Sequence, residues 1–169
     1  NEVTPSNIFL RNQGGGGFEE VTEAWGLSDY LITAAATVTD LDHDGDLDII
    51  AVPVNGPAVA FLNNARDTNS IRFEFDDRLG NRDGIGARVE LRYGENGEQM
   101  QMREVQLGGG YMSFDAPLAH FGLGDATQID SAAIRWADGG VTRIEQPLQA
   151  GGTYRVTRTA VADEQDPLE

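Results

Sequence analysis

Hydrophobic and polar residues alternate over short stretches of this chain, and glycine, asparagine and aspartate interrupt them often. The runs between these breaks are rich in Val, Ile, Phe, Thr and Tyr. Alternation is clearest at 87–91 (ARVEL) and 99–102 (QMQM), where every second residue is apolar. A period of two gives a strand one apolar face and one solvent-exposed face. No long stretch of the sequence keeps the period of about 3.6 residues of a helix. The pattern therefore predicts an all-β protein.

The first part of the chain predicts one propeller-blade-like, four-stranded sheet. Its strands are expected near 7–12, 34–39, 47–54 and 58–63. The pieces IFLRN at 8–12 and AFLNN at 60–64 are similar, and a repeat of roughly 50 residues made of short strands is typical of a propeller blade. One blade cannot bury both faces of its sheet, so we expect a protein partner.

The longer strands after a polar linker at 65–70 (ARDTNS) predict an antiparallel β-sandwich. They are expected at 71–76, 87–93, 98–107, 129–136, 141–148 and 153–158. Asp138, Gly139 and Gly140 separate two of these runs and predict a tight hairpin turn. The predicted domains are a blade at 1–66, a sandwich at 67–160 and an acidic tail at 161–169.

Charge and composition exclude several classes of function. The net charge is −16, and all 12 basic residues are arginine. Nucleic-acid binding needs a basic surface, so we exclude it, whereas this surface suits bound cations, a basic partner or a salty medium. The missing lysine fits codon bias in a GC-rich genome and halophilic adaptation equally. The absence of cysteine excludes disulfides and thiolate metal sites.

Membrane and leader signals are also missing from the sequence. No apolar run approaches the roughly 18 residues of a membrane span, so we predict no span in this chain. A leader would show a basic region followed by an apolar stretch, and we see no such pattern in this sequence. Because the chain starts at Asn1, we expect a processed protein or a piece of a longer one.

Five aspartates lie within nine residues at 40–48, in the sequence DLDHDGDLD. Four of them stand at loop positions 1, 3, 5 and 9: Asp40, Asp42, Asp44 and Asp48. Odd spacing in an extended chain projects side chains toward one side, and Gly45 permits the turn that brings later ligands to the same point. Carboxylate oxygens with water and a carbonyl suit Ca²⁺, which takes about six to eight oxygens. Asp46 is the predicted main-chain ligand.

The loop differs from an EF-hand. Position 12 would carry a bidentate glutamate, but this chain has Ala51 there, and both flanks are strand-like. The loop is therefore expected to join two strands. Two alternatives stay open: a solvated acidic turn without metal, and Mg²⁺ or Mn²⁺ in place of Ca²⁺. We interpret His43 as a surface residue rather than a ligand.

Segments of the chain resemble two known families. Residues 7–12, 17–22, 40–49 and 61–64 resemble an FG-GAP (integrin-type propeller) repeat over nearly all of 7–64. That resemblance implies a loop that binds Ca²⁺ and stiffens the blade. Residues 78–89, 109–113, 120–124 and 134–136 resemble the ASPIC/UnbV domain, in the family's order. The second resemblance implies the terminal part of an exported protein of the cartilage acidic protein-like type, extracellular or periplasmic.

Catalytic motifs are scarce, and we predict no enzymatic activity. The sequence has no Cys, no Lys, no HExxH and no Gly-x-Ser-x-Gly elbow. His120 is interpreted as structural, and a carboxylate pair of the glycosidase type stays open.

The predicted function is a non-catalytic, calcium-binding module for adhesion or assembly that interacts with a protein partner. One alternative is a carbohydrate-binding accessory module of a secreted enzyme. Its glycan would stack on exposed aromatics, for which the candidates are Trp25, Tyr93, Tyr111 and Trp136. Another alternative is an accessory subunit of a cell-envelope complex. We favour core packing for Trp136, since it alternates with Ile134.

Overall fold

The computed structural model describes residues 7–29, 32–65 and 68–159, and the regular secondary structure in this part of the chain consists of strands and one short 3₁₀ turn. The predicted all-β class is confirmed. The strands are β1 Leu10–Gly14, β2 Gly17–Glu20, β3 Thr33–Thr39, β4 Asp48–Pro53, β5 Val59–Phe61, β6 Asn69–Asp77, β7 Arg88–Tyr93, β8 Gln99–Glu104, β9 Ala119–Gly124, β10 Gln128–Ile129, β11 Ser131–Arg135, β12 Val141–Ile144, β13 Leu148–Gln149 and β14 Thr153–Arg158. A short 3₁₀ turn, Glu95–Gly97, lies between β7 and β8.

The chain divides into two compact units. Unit 1 contains Asn1–His43, Leu47–Asn63 and Gly108–Asp115. Unit 2 contains Asp44–Asp46, Asn64–Leu107 and Ala116–Glu169. The domain boundaries drawn from the sequence stay a prediction, and the acidic tail at 161–169 lies outside the described residues.

Unit 1 is organised around an antiparallel sheet of three strands in the order β3-β4-β5. The four strands expected from the sequence are present, but β1 does not join this sheet. It pairs instead with β2 in a separate hairpin. Gly14, Gly15 and Gly16 all have positive φ, so the chain reverses tightly there. A run of glycines has no apolar alternation, which is why the sequence pattern did not predict β2.

The segment Gly108–Asp115 also belongs to unit 1. The carboxylate of Asp115 accepts the Val38 N–H at 2.9 Å and lies 2.9 Å from the Thr37 hydroxyl. β3 is an edge strand, so one side of its backbone has no neighbouring strand in the sheet. The contacts with Asp115 satisfy polar groups of β3 that would otherwise be exposed at this edge.

Unit 2 has two larger sheets, in the orders β12-β11-β7-β8 and β14-β6-β9, and a small β10-β13 pair. Alternate residues of β6, β7, β9 and β11 are buried and form one apolar core. Its fully buried members include Ile71, Phe73, Val89, Leu91, Val105, Phe121, Ile129 and Ile134. Trp136 is 2% exposed and belongs to this core, as predicted.

The sandwich is not antiparallel throughout, because β14 pairs with β6 in parallel. The alternation of apolar and polar residues indicates which face of a strand is buried but not the direction in which the strand runs. The long stretch of chain between β6 and β14 supplies the crossover connection that a parallel pair needs. The sequence analysis also did not predict β9, because two glycines in this strand weaken the alternation of apolar and polar residues. The strand expected at 141–148 is divided into β12 and β13, since Pro147 interrupts it. The predicted hairpin turn at 138–140 is confirmed between β11 and β12.

An ion pair between the partly buried Arg158 and the buried Asp77 joins the ends of β6 and β14. Arg158 donates to both oxygens of Asp77, Nε to Oδ1 at 3.0 Å and Nη2 to Oδ2 at 2.8 Å. The two side chains are only 15% and 1% exposed. Arg158 Nη1 also donates to Asp138 at 2.8 Å, and the guanidinium lies 4.7 Å from the centre of the Trp136 ring. This clamp therefore connects the parallel strand pair to the turn between β11 and β12.

Replacing Arg158 by Met should lower the free energy of unfolding by about 3–5 kcal/mol, because it leaves the carboxylate of Asp77 buried without its cation. Arg155→Met is the matched control on the same strand. Its pair with Glu74 is exposed, 69% and 41%, so solvent screens it and its loss should change stability much less. Urea denaturation of the two variants measures the difference, and equal losses would contradict a special role for the clamp.

The clamp also predicts a pH dependence. The hydrogen bond from Arg158 lowers the pKa of Asp138 from 3.8 to about 2. A lowered folded-state pKa stabilises the fold above the unfolded value, and that contribution is lost as pH falls through about 2. The free energy of unfolding should therefore fall more steeply from about pH 4 to about pH 2 in the wild type than in Asp138→Asn. Parallel curves from urea titrations would contradict the assignment.

Candidate metal centre

The aspartate loop joins two paired strands of unit 1. Asp40 directly follows β3, and Asp48 is the first residue of β4. Thr39 and Asp48 face each other across the two strands, so the pairing closes the base of the loop. The sequence-based expectation of a strand-to-strand loop is confirmed.

Asp48 is the most constrained side chain of the loop, with 0% exposure. Its Oδ2 accepts the Leu41 N–H at 2.7 Å, and its Oδ1 accepts the Asn63 N–H at 2.7 Å. A buried carboxylate is costly unless hydrogen bonds satisfy it, and bonds from backbone N–H groups to an ionised oxygen are strong. Asp48 therefore fixes both the start of the loop and the chain after β5.

Three of the predicted ligands come together. Asp40, Asp42 and Asp48 each offer a carboxylate oxygen, and these oxygens all lie within 4.8 Å of one another. Asp40 and Asp48 are buried, whereas Asp42 is exposed. The cluster thus has two buried carboxylates and one on the solvent side.

Asp44 and Asp46 do not belong to this three-carboxylate group, and both are assigned to unit 2. Asp44 Oδ1 accepts the Asp46 N–H at 2.9 Å, the geometry of an Asx turn. Gly45 has φ 104°, which is the left-handed turn expected at this position. A ligand role for Asp44 and for the Asp46 carbonyl stays a prediction.

The carbonyl of Gly45 has two polar neighbours within unit 2. It accepts the Ser70 hydroxyl at 3.1 Å and lies 3.1 Å from His120 Nε2. Burial lowers the pKa of His120, which favours the neutral ring. His43 is exposed. Sequence reasoning missed Ser70 and Asn63, because both act on the loop from distant positions in the chain.

The donor chemistry of the cluster fits a hard divalent cation. Three carboxylates within 4.8 Å repel one another, and a cation of charge +2 offsets most of that repulsion. Ca²⁺ needs about six to eight oxygens, so water and main-chain oxygens would complete its shell. Mg²⁺ demands a stricter octahedral geometry. Asp40, Asp42 and Asp48 are the described side chains that would hold the ion.

The aromatic candidates for glycan stacking separate into two groups. Tyr93 and Trp136 are buried in the core of unit 2, at 7% and 2% exposure. Trp25 and Tyr111 are exposed, at 51% and 75%, and both belong to unit 1. Two of the four candidates are therefore excluded as stacking surfaces.

Helices able to cross a membrane are absent from residues 7–29, 32–65 and 68–159. A comparison with curated proteins finds no match to this chain. The family described as ASPIC and UnbV matches residues 78–163, just over half of the chain. This range includes each of the four segments that resemble that family, whereas the FG-GAP resemblance of the first part stays a prediction. The chain belongs to the ASPIC and UnbV family.

Proposed function

We propose that the chain is a non-catalytic, calcium-binding interaction module of an exported protein, extracellular or periplasmic. The observation that carries the proposal is the cluster of Asp40, Asp42 and Asp48 at the end of a strand pair. Bound Ca²⁺ would supply positive charge to three crowded carboxylates and hold the ends of β3 and β4 together. Its role in this proposal is structural.

Exposed apolar side chains support an interaction role. Most of the large hydrophobic residues that the structure exposes belong to unit 1: Ile8, Leu10, Phe18, Trp25, Ile32, Leu41, Val52, Val54, Leu62, Tyr111, Met112 and Phe114. Extensive apolar exposure on a soluble surface marks interaction sites. Membership of the ASPIC and UnbV family also favours an interaction-type, extracellular module.

The absence of catalysis is part of the proposal. The sequence has no cysteine or lysine to serve as a nucleophile. Of its two histidines, His43 is exposed in the loop and His120 lies against the Gly45 carbonyl. The carbohydrate-binding alternative is weaker, because two of its four candidate aromatic residues, Tyr93 and Trp136, are buried in the core of unit 2. An accessory role in an envelope complex is compatible with the interaction module.

Calcium should raise the melting temperature of the protein. An ion at about 100 times its Kd adds about 2.7 kcal/mol, which corresponds to a rise of roughly 5–10 °C for a chain of this size. Affinity is expected in the roughly 0.1–1 mM range of extracellular modules. Thermal melts in EDTA, Ca²⁺ and Mg²⁺ measure the rise, which should be larger for Ca²⁺. Asp42→Asn should lose most of it, because the change removes one carboxylate of the cluster.

Glu95→Gln is the matched control, since Glu95 is an exposed acid of unit 2. It should keep the full rise. Asp44→Asn tests the remaining predicted side-chain ligand, and a reduced rise would add it to the site. A wild type that melts at the same temperature in EDTA and Ca²⁺ would refute the calcium assignment.

Asp48→Asn should destabilise the protein even in EDTA, by about 1–3 kcal/mol. An amide nitrogen cannot accept a backbone N–H, so the change disrupts one of the two buried bonds to Leu41 and Asn63. Asp42→Asn should change stability in EDTA by less than about 0.5 kcal/mol, as is usual for surface changes. Urea denaturation in EDTA compares them. Equal stabilities would contradict the anchoring role of Asp48.

A further inference from the structure

An apolar groove lies on one face of the β3-β4-β5 sheet of unit 1. Its volume is about 360 Å³. Val38, Ile49 and Phe61 face one another across the three strands and line it together with Ile8, Phe9 and Ala51. The groove is large enough to accept an apolar side chain, and all of its lining residues belong to unit 1.

Two residues that line this groove are hydrogen-bonded to carboxylates. Thr22 lines it, and the Thr22 N–H donates to Glu20 at 2.9 Å. Asn7 also lines it, and its side chain donates to Asp29 at 2.9 Å. The hydrogen bonds of Thr22 lower the pKa of Glu20, which keeps that carboxylate ionised.

The charge of unit 1 is strongly one-sided. Its described residues include one arginine, Arg11, and no lysine, and the guanidinium of Arg11 lies 5.9 Å from the centre of the Trp25 ring. The acids of the same part are Glu19, Glu20, Glu23, Asp29, Asp40, Asp42, Asp48 and Asp115. An apolar groove in such a field favours a partner that carries positive charge next to its apolar anchor.

We propose that this groove binds an apolar side chain presented by a cationic, Arg- or Lys-rich segment of a partner protein. The proposal rests on the interaction function proposed above and assigns that function a surface and a partner class. A second copy of this chain is disfavoured as the occupant, because each copy carries a net charge of −16.

Fluorescence anisotropy with labelled synthetic peptides tests the proposal. The probe is the repeat (Arg-Leu-Ser)₄, and the two controls are (Glu-Leu-Ser)₄ and (Arg-Ser-Ser)₄. The probe should bind at least about tenfold more tightly than either control, because it supplies both the charge and the anchor. Raising the salt concentration should weaken its binding. Equal binding of all three peptides, or no binding of the probe, would overturn the proposal.

Ala36→Leu places a larger side chain in the groove and should weaken probe binding at least about tenfold. Ala60→Leu is the matched control. Ala60 pairs with Ile50, and its neighbours Val59 and Phe61 point to the opposite face, so it lies on the other side of the sheet. It should bind the probe like the wild type. Melting curves confirm that both variants are folded, and unchanged binding by a folded Ala36→Leu variant would overturn the proposal.

The charge component has its own pair of variants. Glu20→Gln combined with Asp29→Asn should weaken probe binding about threefold to tenfold, as expected for two solvent-accessible ion pairs. Glu95→Gln combined with Asp125→Asn removes the same charge from exposed positions of unit 2 and should have little effect. Equal weakening by both pairs would show that net charge alone attracts the peptide, and would overturn the assigned surface.

Two further readouts separate the causes of failure. Sedimentation that shows a dimer dissolved by Ala36→Leu would overturn the proposal in favour of a second copy. Each titration is run in EDTA and in Ca²⁺. A calcium-induced rise in melting temperature without groove binding would refute this inference alone. Groove binding without that rise would support it and refute the calcium part of the proposed function.

Discussion

The buried carboxylate of Asp48 connects three segments of unit 1. It begins β4, accepts the Leu41 N–H of the loop, and accepts the Asn63 N–H beyond β5. Because both bonds come from the backbone, the carboxylate fixes main-chain positions rather than mobile side chains. The neighbouring carboxylates of Asp40 and Asp42 are thereby held at ligand spacing, and the metal proposal depends on that constraint.

Unit 2 uses a comparable device at the end of β6. The side chain of Asp77 is 1% exposed and accepts hydrogen bonds from Nε and Nη2 of Arg158, whose Nη1 also donates to Asp138. Asp77 has a protein cation beside it, so its charge is compensated within the fold. In the cluster of Asp40, Asp42 and Asp48, the three carboxylate oxygens lie within 4.8 Å of one another, and in the proposed function a divalent cation from solution would bind there.

Charge and apolar exposure give unit 1 its proposed interaction role. Its described residues have many carboxylates and one arginine, and they also include most of the large apolar side chains that the structure exposes. Acidic charge maintains solubility while apolar surface remains available for binding. Glu20 and Asp29, which are hydrogen-bonded to residues that line the apolar groove, connect these two properties, because they favour an occupant that is both cationic and apolar.

The sequence by itself determined the all-β class, the strand-to-strand position of the aspartate loop, the turn at 138–140 and the burial of Trp136. These features follow from short-range alternation and from glycine and aspartate chemistry, which act within a few residues. Only the tertiary structure decided that β14 runs parallel to β6, that β1 forms its own hairpin, and which aspartates come together. Strand direction and ligand distance depend on contacts between residues far apart in the chain. The Asn63 N–H that fixes Asp48 is one such contact, and no local pattern encodes it.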